Sequence, residues 1–413
     1  MGNAYIVDAC RTPRGIGKVG KGALAHLHPS YLGSTVLAAM AERNNLNTAE
    51  VDDIIWGTSS QTGKQGGDLG RMAALNAGYD VRSSGVTLDR FCGSGITTVN
   101  LAAAQVMSGM EDLVIAGGTE MMSYHGQIAD PSKPPMIDSG NLELRATHPQ
   151  SQQGVCADAI ATLEGIDRDA VDDLALVSQA RAAQAIVEGR FDKSLITVKN
   201  PDGTVALDHE EFPRPETTKE GLAELKTVFS VVRDVPVDEA GTTYGALIQQ
   251  KYPEITEFNH IHHAGNSSGV VDGAAALLLA SEAYMEKSGM TPRARILATA
   301  NMGDCPTLML NAPVPAAEKV LFKAGLTTGD IDVWEINEAF SVVAERFIRK
   351  LDLDREKVNI NGGAMALGHP IGATGSILVG TALDELERQG GRYALITMCA
   401  AGGMAPAIII ECV

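Results

Sequence analysis

Two cysteines, a histidine and an asparagine stand in small-residue turns, where nucleophilic chemistry is feasible. Cys92 lies in Asp89-Arg90-Phe91-Cys92-Gly93-Ser94-Gly95, directly ahead of a helix-like run from Ile96 to Met107. A thiol at a helix N-terminus feels the positive end of the dipole, which favours thiolate. Flanking glycines let backbone N–H groups approach an oxyanion. The same pattern also suits a buried cysteine at a tight strand–helix turn. His369, in Gly368-His369-Pro370-Ile371-Gly372, stands at a comparable turn, and a histidine beside a cysteine takes the thiol proton. Read alone, it is a structural residue ahead of a proline. Asn337 follows a strand in Trp334-Glu335-Ile336-Asn337-Glu338-Ala339-Phe340, where it either caps the next helix or faces a site. Cys399, at a strand end before Ala400-Ala401-Gly402-Gly403, reads by itself as a core cysteine.

An internal repeat places these turns. Leu46–Asp52 matches Leu326–Asp332 without a gap, at an offset of 280 positions. At the same offset Gly93-Ser94-Gly95 meets Ala373-Thr374-Gly375, each opening a helix-like segment. Each segment leads to an apolar strand and a small-residue turn, Gly117-Gly118 in one copy and Gly402-Gly403 in the other. The opening strands Ala4–Ala9 and Arg295–Ala300 correspond at a slightly larger offset. Two copies of one α/β unit follow, and pseudo-symmetry would bring His369 near Cys92. Residues 123–262 between them are polar, punctuated by proline and rich in basic residues, with an amphipathic helix expected over Arg168–Glu188. They read as an inserted domain. The expected division is 1–122 with 263–275 as the first half, 123–262 as the insert, and 276–413 as the second half.

The chain has 413 residues, 45% apolar and 20% charged, the balance of a globular protein with a sizeable core. With 33 Lys+Arg against 51 Asp+Glu the net charge is −18, a field that disfavours nucleic acid and anionic lipid. No apolar run reaches the ~18–20 residues of a bilayer-spanning helix, and six scattered cysteines lack any CxxC, as in a cytoplasmic protein. Gly15-Ile16-Gly17-Lys18-Val19-Gly20 fits a dinucleotide pattern, but no helix opens at its glycines. His260, His262 and His263 alternate as metal ligands do, yet lack neighbouring cysteines or paired carboxylates, so no metal is expected.

Taken together these stretches resemble the thiolase family over nearly the whole chain. The resemblance is carried by Arg11-Thr12-Pro13, the Cys92 turn and Ala116-Gly117-Gly118-Thr119-Glu120-Met121-Met122-Ser123. It continues through Ala264-Gly265-Asn266-Ser267-Ser268-Gly269, the Asn337 and His369 stretches and the Cys399 turn. It implies an α/β fold of duplicated α/β/α units forming a five-layered α-β-α-β-α core, with a loop domain that covers the active site and binds coenzyme A. It also implies acyl transfer between coenzyme A thioesters through an acyl-Cys92. His369 would be the base and part of an oxyanion hole, Asn337 would hold a water there, and Cys399 would move the proton at the α-carbon. A second oxyanion hole would use the N–H groups of Cys92 and Ala401. For coenzyme A, a cosubstrate and not a bound cofactor, the family's contacts fall on Arg214, Ser268, Ala339 and Phe340. Homodimers or homotetramers are implied as well.

Some positions depart from the family's commonest pattern. Ala401 replaces a glycine, Gly221 a ligand-binding serine, and Gln152-Gln153-Gly154 a His-Met-Gly stretch bordering the acyl pocket. The 33 residues between Phe229 and His263 exceed the short-chain biosynthetic relatives. The departures point toward a degradative 3-ketoacyl-CoA thiolase. The alternatives are a β-ketoacyl synthase-like enzyme acting on a carrier protein, and a scaffold without catalysis. Cys399 and the complete set of four reactive side chains argue against both.

Overall fold

The computed structural model describes residues 2–129 and 135–413. Among the described residues ten strands form the main sheet. Nine are longer: β1 (Ala4–Arg11), β2 (Asp53–Gly57), β3 (Val86–Leu88), β4 (Leu113–Met121), β5 (Val271–Ser281), β6 (Ala294–Gly303), β7 (Val333–Ile336), β8 (Tyr393–Thr397) and β9 (Met404–Cys412). The tenth is a two-residue pairing of Gly15–Ile16 with the start of β5. β4 is buried at every position and β5 at all but its last, the continuous apolar or small-residue run of a strand covered on both faces.

The order of the nine longer strands is β7-β8-β9-β6-β1-β5-β4-β2-β3, which reads as two similar halves back to back. β2, β4, β5 and β1 of one half answer to β7, β8, β9 and β6 of the other. The halves join through a short antiparallel contact, Tyr5 opposite Arg295 and Ile6 opposite Ala294. Between the two sets of strands lie α2 (Ser94–Ser108) and α7 (Ile371–Gln389), each touching strands of both halves. Outside, α1 (Pro29–Arg43) covers β1, β4 and β5, and α5 (Pro313–Ala324) covers β6, β8 and β9. The result is the layered α-β-α-β-α core that the resemblance implies, built from the two α/β units that the repeat predicts. The insert carries α3 (Gln153–Glu164) and α4 (Arg168–Val187), and α4 packs on α6 (Ser341–Leu351) of the second half.

Three local expectations are corrected. The division after residue 275 cuts β5, which pairs throughout with β1 and β4, so the first half extends to Ser281. Gly117 and Gly118 are not a turn but lie inside β4, where a Cβ on Gly118 would fall 2.2 Å from the Gly372 carbonyl oxygen. The helix over 168–187 buries Val171, Asp172, Ala175, Ser178, Gln179, Ala182 and Ala185, a face of mostly small and polar residues with one larger apolar side chain where a clear amphipathic division was expected. Residues 130–134 of the expected insert lie outside the described residues.

Candidate active site

Each reactive side chain is held at the mouth of a central helix or the end of a sheet strand. Ahead of α2, Phe91 takes a left-handed φ of 49°, a strain tolerated where the chain must aim a neighbour. Its N–H donates to Asp89 Oδ1 at 2.6 Å. The Ser94 hydroxyl donates to the Phe91 carbonyl at 2.7 Å and accepts from the Arg90 N–H at 2.8 Å. Cys92 sits within this clamp, 4% exposed. A Cβ on Gly93 would meet Pro406 at 2.8 Å and Ala400 at 3.3 Å, so the Cys92 turn rests directly on the Cys399 turn.

The thiolate expected from the helix dipole is not the resting form. Burial pushes the Cys92 thiol up to about 12, and the charges of Glu120 and Asp89 add to this against the opposing bonds from its own N–H and from Gln153. Cys399, 1% exposed, is likewise driven up by burial, with Cys92 as the next cause. Both cysteines rest as neutral thiols and need a base.

His369 has the form that such a base requires. Its backbone N–H donates to Gly269 at 2.9 Å. The Thr374 hydroxyl gives its one proton to the Pro370 carbonyl at 2.9 Å, so it accepts from His369 Nδ1–H at 2.6 Å. That fixes the tautomer and leaves a lone pair on Nε2, with Asn337 Nδ2 3.4 Å away. Burial pulls the imidazole down to about 4, against the negative charge of Glu120, so it is neutral near pH 7. Asn337 Oδ1 is buried with no partner among the described residues.

Around Cys399 the chain reverses through Ala400–Met404, which exchange N–H···O bonds of 2.7 and 3.1 Å. Gly402 and Gly403 take left-handed φ values of 79° and 75°, whereas Ala401 does not, so its Cβ is accommodated. No backbone carbonyl among the described residues accepts from the N–H groups of Cys92 and Ala401.

The coenzyme A contacts expected from sequence divide into two places. Residues 267–269 knit the site together: Ser268 N–H donates to the Ala339 carbonyl and Gly269 N–H to Ala364, each at 3.0 Å. Phe340, beside Ala339, packs edge-on against Phe229 at 5.6 Å and against His262 at 5.7 Å. Arg214 lies apart, lining a cavity of about 210 Å³ with Thr217, Gly221, Leu222, Ala264 and Gly265. Its guanidinium stacks over Phe212 at 5.5 Å and forms no ion pair among the described residues.

Two residues that hold the site had no role assigned from sequence, although both lie in quoted motifs. Thr374 orients His369, and Glu120 receives bonds from three segments. The alternating histidines are accounted for by carboxylates: His260 and His262 share Asp158 at 2.6 and 2.7 Å, and His263 bonds Asp172 at 2.9 Å.

A thiol, a neutral imidazole of fixed tautomer, a second buried thiol and free backbone donors together suit acyl transfer with carbon-acid chemistry. Comparison with known proteins places the chain in that class. The N-terminal thiolase domain matches residues 4–235 and the C-terminal thiolase domain residues 290–412. The chain belongs to the thiolase family, and it is an acyltransferase. It is 39% identical, over the full length of both chains, to a β-ketoadipyl-CoA thiolase of Acinetobacter baylyi. It is 38% identical to a steroid 3-ketoacyl-CoA thiolase of Mycobacterium tuberculosis, covering all of this chain and 94% of that one. Human mitochondrial 3-ketoacyl-CoA thiolase in complex with CoA superposes with a TM-score of 0.84 at 31% identity, covering 100% of this chain and 98% of that one. Among the described residues no helix is long and apolar enough to cross a membrane.

Proposed function

We propose that this thiolase cleaves 3-ketoacyl-CoA with free coenzyme A through an acyl-Cys92 intermediate. His369 Nε2 takes the proton from Cys92 Sγ, and the sulfur attacks the 3-keto carbon. The bond between C2 and C3 breaks, and Cys399 gives its proton to C2, releasing acetyl-CoA. Coenzyme A thiol then gives its proton to the Cys399 thiolate as it attacks the Cys92 thioester, and the proton held on His369 returns to Cys92 as the shortened acyl-CoA leaves. The carbonyl oxygens are met by His369 with a water held on Asn337, and by the N–H groups of Cys92 and Ala401. The observation that carries this reading is the neutral His369, its Nδ1–H fixed on Thr374 and its Nε2 lone pair left for a proton.

Arg214 is assigned to the adenine side of coenzyme A, and Ser268, Ala339 and Phe340 to the pantetheine side, with the insert as the covering domain. The positions of Phe229 and His262 against Phe340 support a role for the long 229–263 segment in shaping the acyl pocket. The names of the relatives, β-ketoadipyl and steroid 3-ketoacyl among them, favour a degradative role. Assembly into at least dimers is supported by the end strand β3, which among the described residues pairs only with β2 and leaves Val86 exposed, five positions after exposed Val81.

Thiolysis of acetoacetyl-CoA and of a longer 3-ketoacyl-CoA, each with free coenzyme A, tests the reading. Cleavage of the longer substrate is expected, and cleavage of neither would overturn it. Peptide mass analysis after incubation with an acyl-CoA is expected to place the acyl group on Cys92. A monomer by light scattering would refute the assembly.

A further inference from the structure

The most heavily bonded carboxylate near the site is one that the mechanism does not use. Glu120, at the end of β4, has no solvent exposure. Its oxygens accept from the Ser59 N–H at 2.7 Å, Gln65 Nε2 at 2.7 Å, His125 Nε2 at 2.8 Å and the Thr58 hydroxyl at 3.2 Å. The fifth donor is the Gly372 N–H of α7, at 2.8 Å. Gly372 lies in the first turn of α7, between His369 and the Thr374 hydroxyl that fixes its tautomer. Glu120 therefore ties the strand and loop of the first half to the turn that presents the base of the second.

The carboxylate stays charged in this setting. Burial works against its ionised form, but the bonds from His125, Ser59 and Gln65 outweigh it and hold the carboxyl below its ordinary range. Its charge reaches both reacting groups, opposing thiolate at Cys92 and favouring imidazolium at His369. The other charged or titratable groups nearby are few. Asp89 acts on Cys92, His125 pairs with Glu120 itself, and Asp272 on β5 accepts from the Ser123 N–H at 2.8 Å.

We propose that Glu120 is a positioning residue for proton transfer from Cys92 to His369, pinning the first turn of α7 and setting with its charge the pH window in which the pair works. This rests on the reading of Cys92 as nucleophile and His369 as base. Glu120 touches neither the substrate nor the transferred proton. A fixed negative charge raises the proton affinity of both partners, so it makes the Cys92 proton harder to remove and moves the acid limb of the rate profile, the protonation of His369, upward.

The test is the rate of coenzyme A release in a single turnover with acetyl-CoA, measured across about pH 3 to 8 so as to take in the His369 limb near 4, alongside acyl labelling of Cys92. In Glu120→Gln the acid limb should move to lower pH by about half a unit or more. In Glu120→Asp, which keeps the charge but withdraws it from Gly372, the limb should stay while the rate falls roughly fivefold or more. A limb unmoved in Glu120→Gln, with wild-type Cys92 labelled, overturns the inference alone. An unlabelled wild-type Cys92 overturns the reading beneath it as well. Should Glu120→Gln prove insoluble, Glu120→Asp decides: a wild-type rate or a displaced limb in that variant overturns the proposal.

Discussion

Gly95 and Gly375 meet backbone to backbone where the two central helices begin. A Cβ on Gly375 would lie 2.1 Å from the Ile96 nitrogen, and one on Gly95 2.6 Å from the Ser376 nitrogen. The Ser376 hydroxyl adds a bond to the Gly95 carbonyl at 3.2 Å. These two glycines are 280 positions apart, the offset of the internal repeat, so equivalent residues of the two copies touch each other. Cys92 precedes one helix and His369 the other, and this contact sets their separation.

Gly375→Ala should therefore damage both fold and chemistry. No flexible side chain can move aside, because the clash is with backbone. A loss of about 3 kcal/mol or more is expected, at the upper end of overpacking costs. Urea unfolding measures it, and acylation of Cys92 should fall with it. Unchanged stability would mean that the helices separate freely.

The two cysteines should separate by function. Cys92→Ser should abolish acyl-enzyme formation, since an alkoxide is far harder to form than a thiolate. Cys399→Ala should leave Cys92 labelling by acyl-CoA measurable while carbon–carbon cleavage falls by about a hundredfold or more. Equal loss of labelling in Cys399→Ala would contradict its assignment as the α-carbon acid.

Thr374→Val keeps the volume of the side chain but removes the acceptor for His369 Nδ1–H. A buried donor left unpaired costs about 1–3 kcal/mol, so acylation should slow by roughly tenfold or more. The fold should persist. Comparison of the single-turnover rate with wild type checks this, and an unaltered rate would mean the tautomer is fixed by something else.

Acid stability should depend on Glu210. This buried carboxylate takes Arg11 Nη1 at 2.6 Å and Arg14 Nη2 at 2.8 Å. Burial raises its pKa, but the two arginines overcome this and bring it down to about 2. The folded value lies below the unfolded one, so the stabilisation is complete above about pH 4.5 and is lost as pH falls toward 2. The difference is worth roughly 3 kcal/mol at neutral pH. Glu210→Gln should lower the urea midpoint at pH 7 and flatten its decline below about pH 4.5. A variant that declines as steeply as wild type would place the acid sensitivity elsewhere.

Much of this was legible in the chain because turns and repeats leave local marks. The glycine-rich stretches around Cys92, His369 and Cys399 record backbone conformations and close approaches that few other residues allow. The offset of 280 records a duplication, and with it the layered core and the pairing of the Cys92 and His369 turns. Even here local patterns can mislead. Gly117-Gly118 reads as a turn by composition but sits in mid-strand, and what excludes a side chain is remote in the chain: Trp56 and the Ala275 carbonyl at Gly117, and Gly372 of α7 at Gly118.

By itself the sequence determined the fold class, the family and the side chains that are candidates for the chemistry, since these rest on residue type, order and short-range spacing. Only the tertiary structure decided the state of those side chains. A helix dipole alone would make Cys92 a thiolate, yet burial and the charges of Glu120 and Asp89 hold it as a thiol. The histidine that could have been a lone structural residue is neutral because burial opposes its charge, and its tautomer is fixed by Thr374, whose own proton goes to Pro370. Protonation at a point sums desolvation and charge over every segment that folds around it, and no stretch of sequence contains that sum.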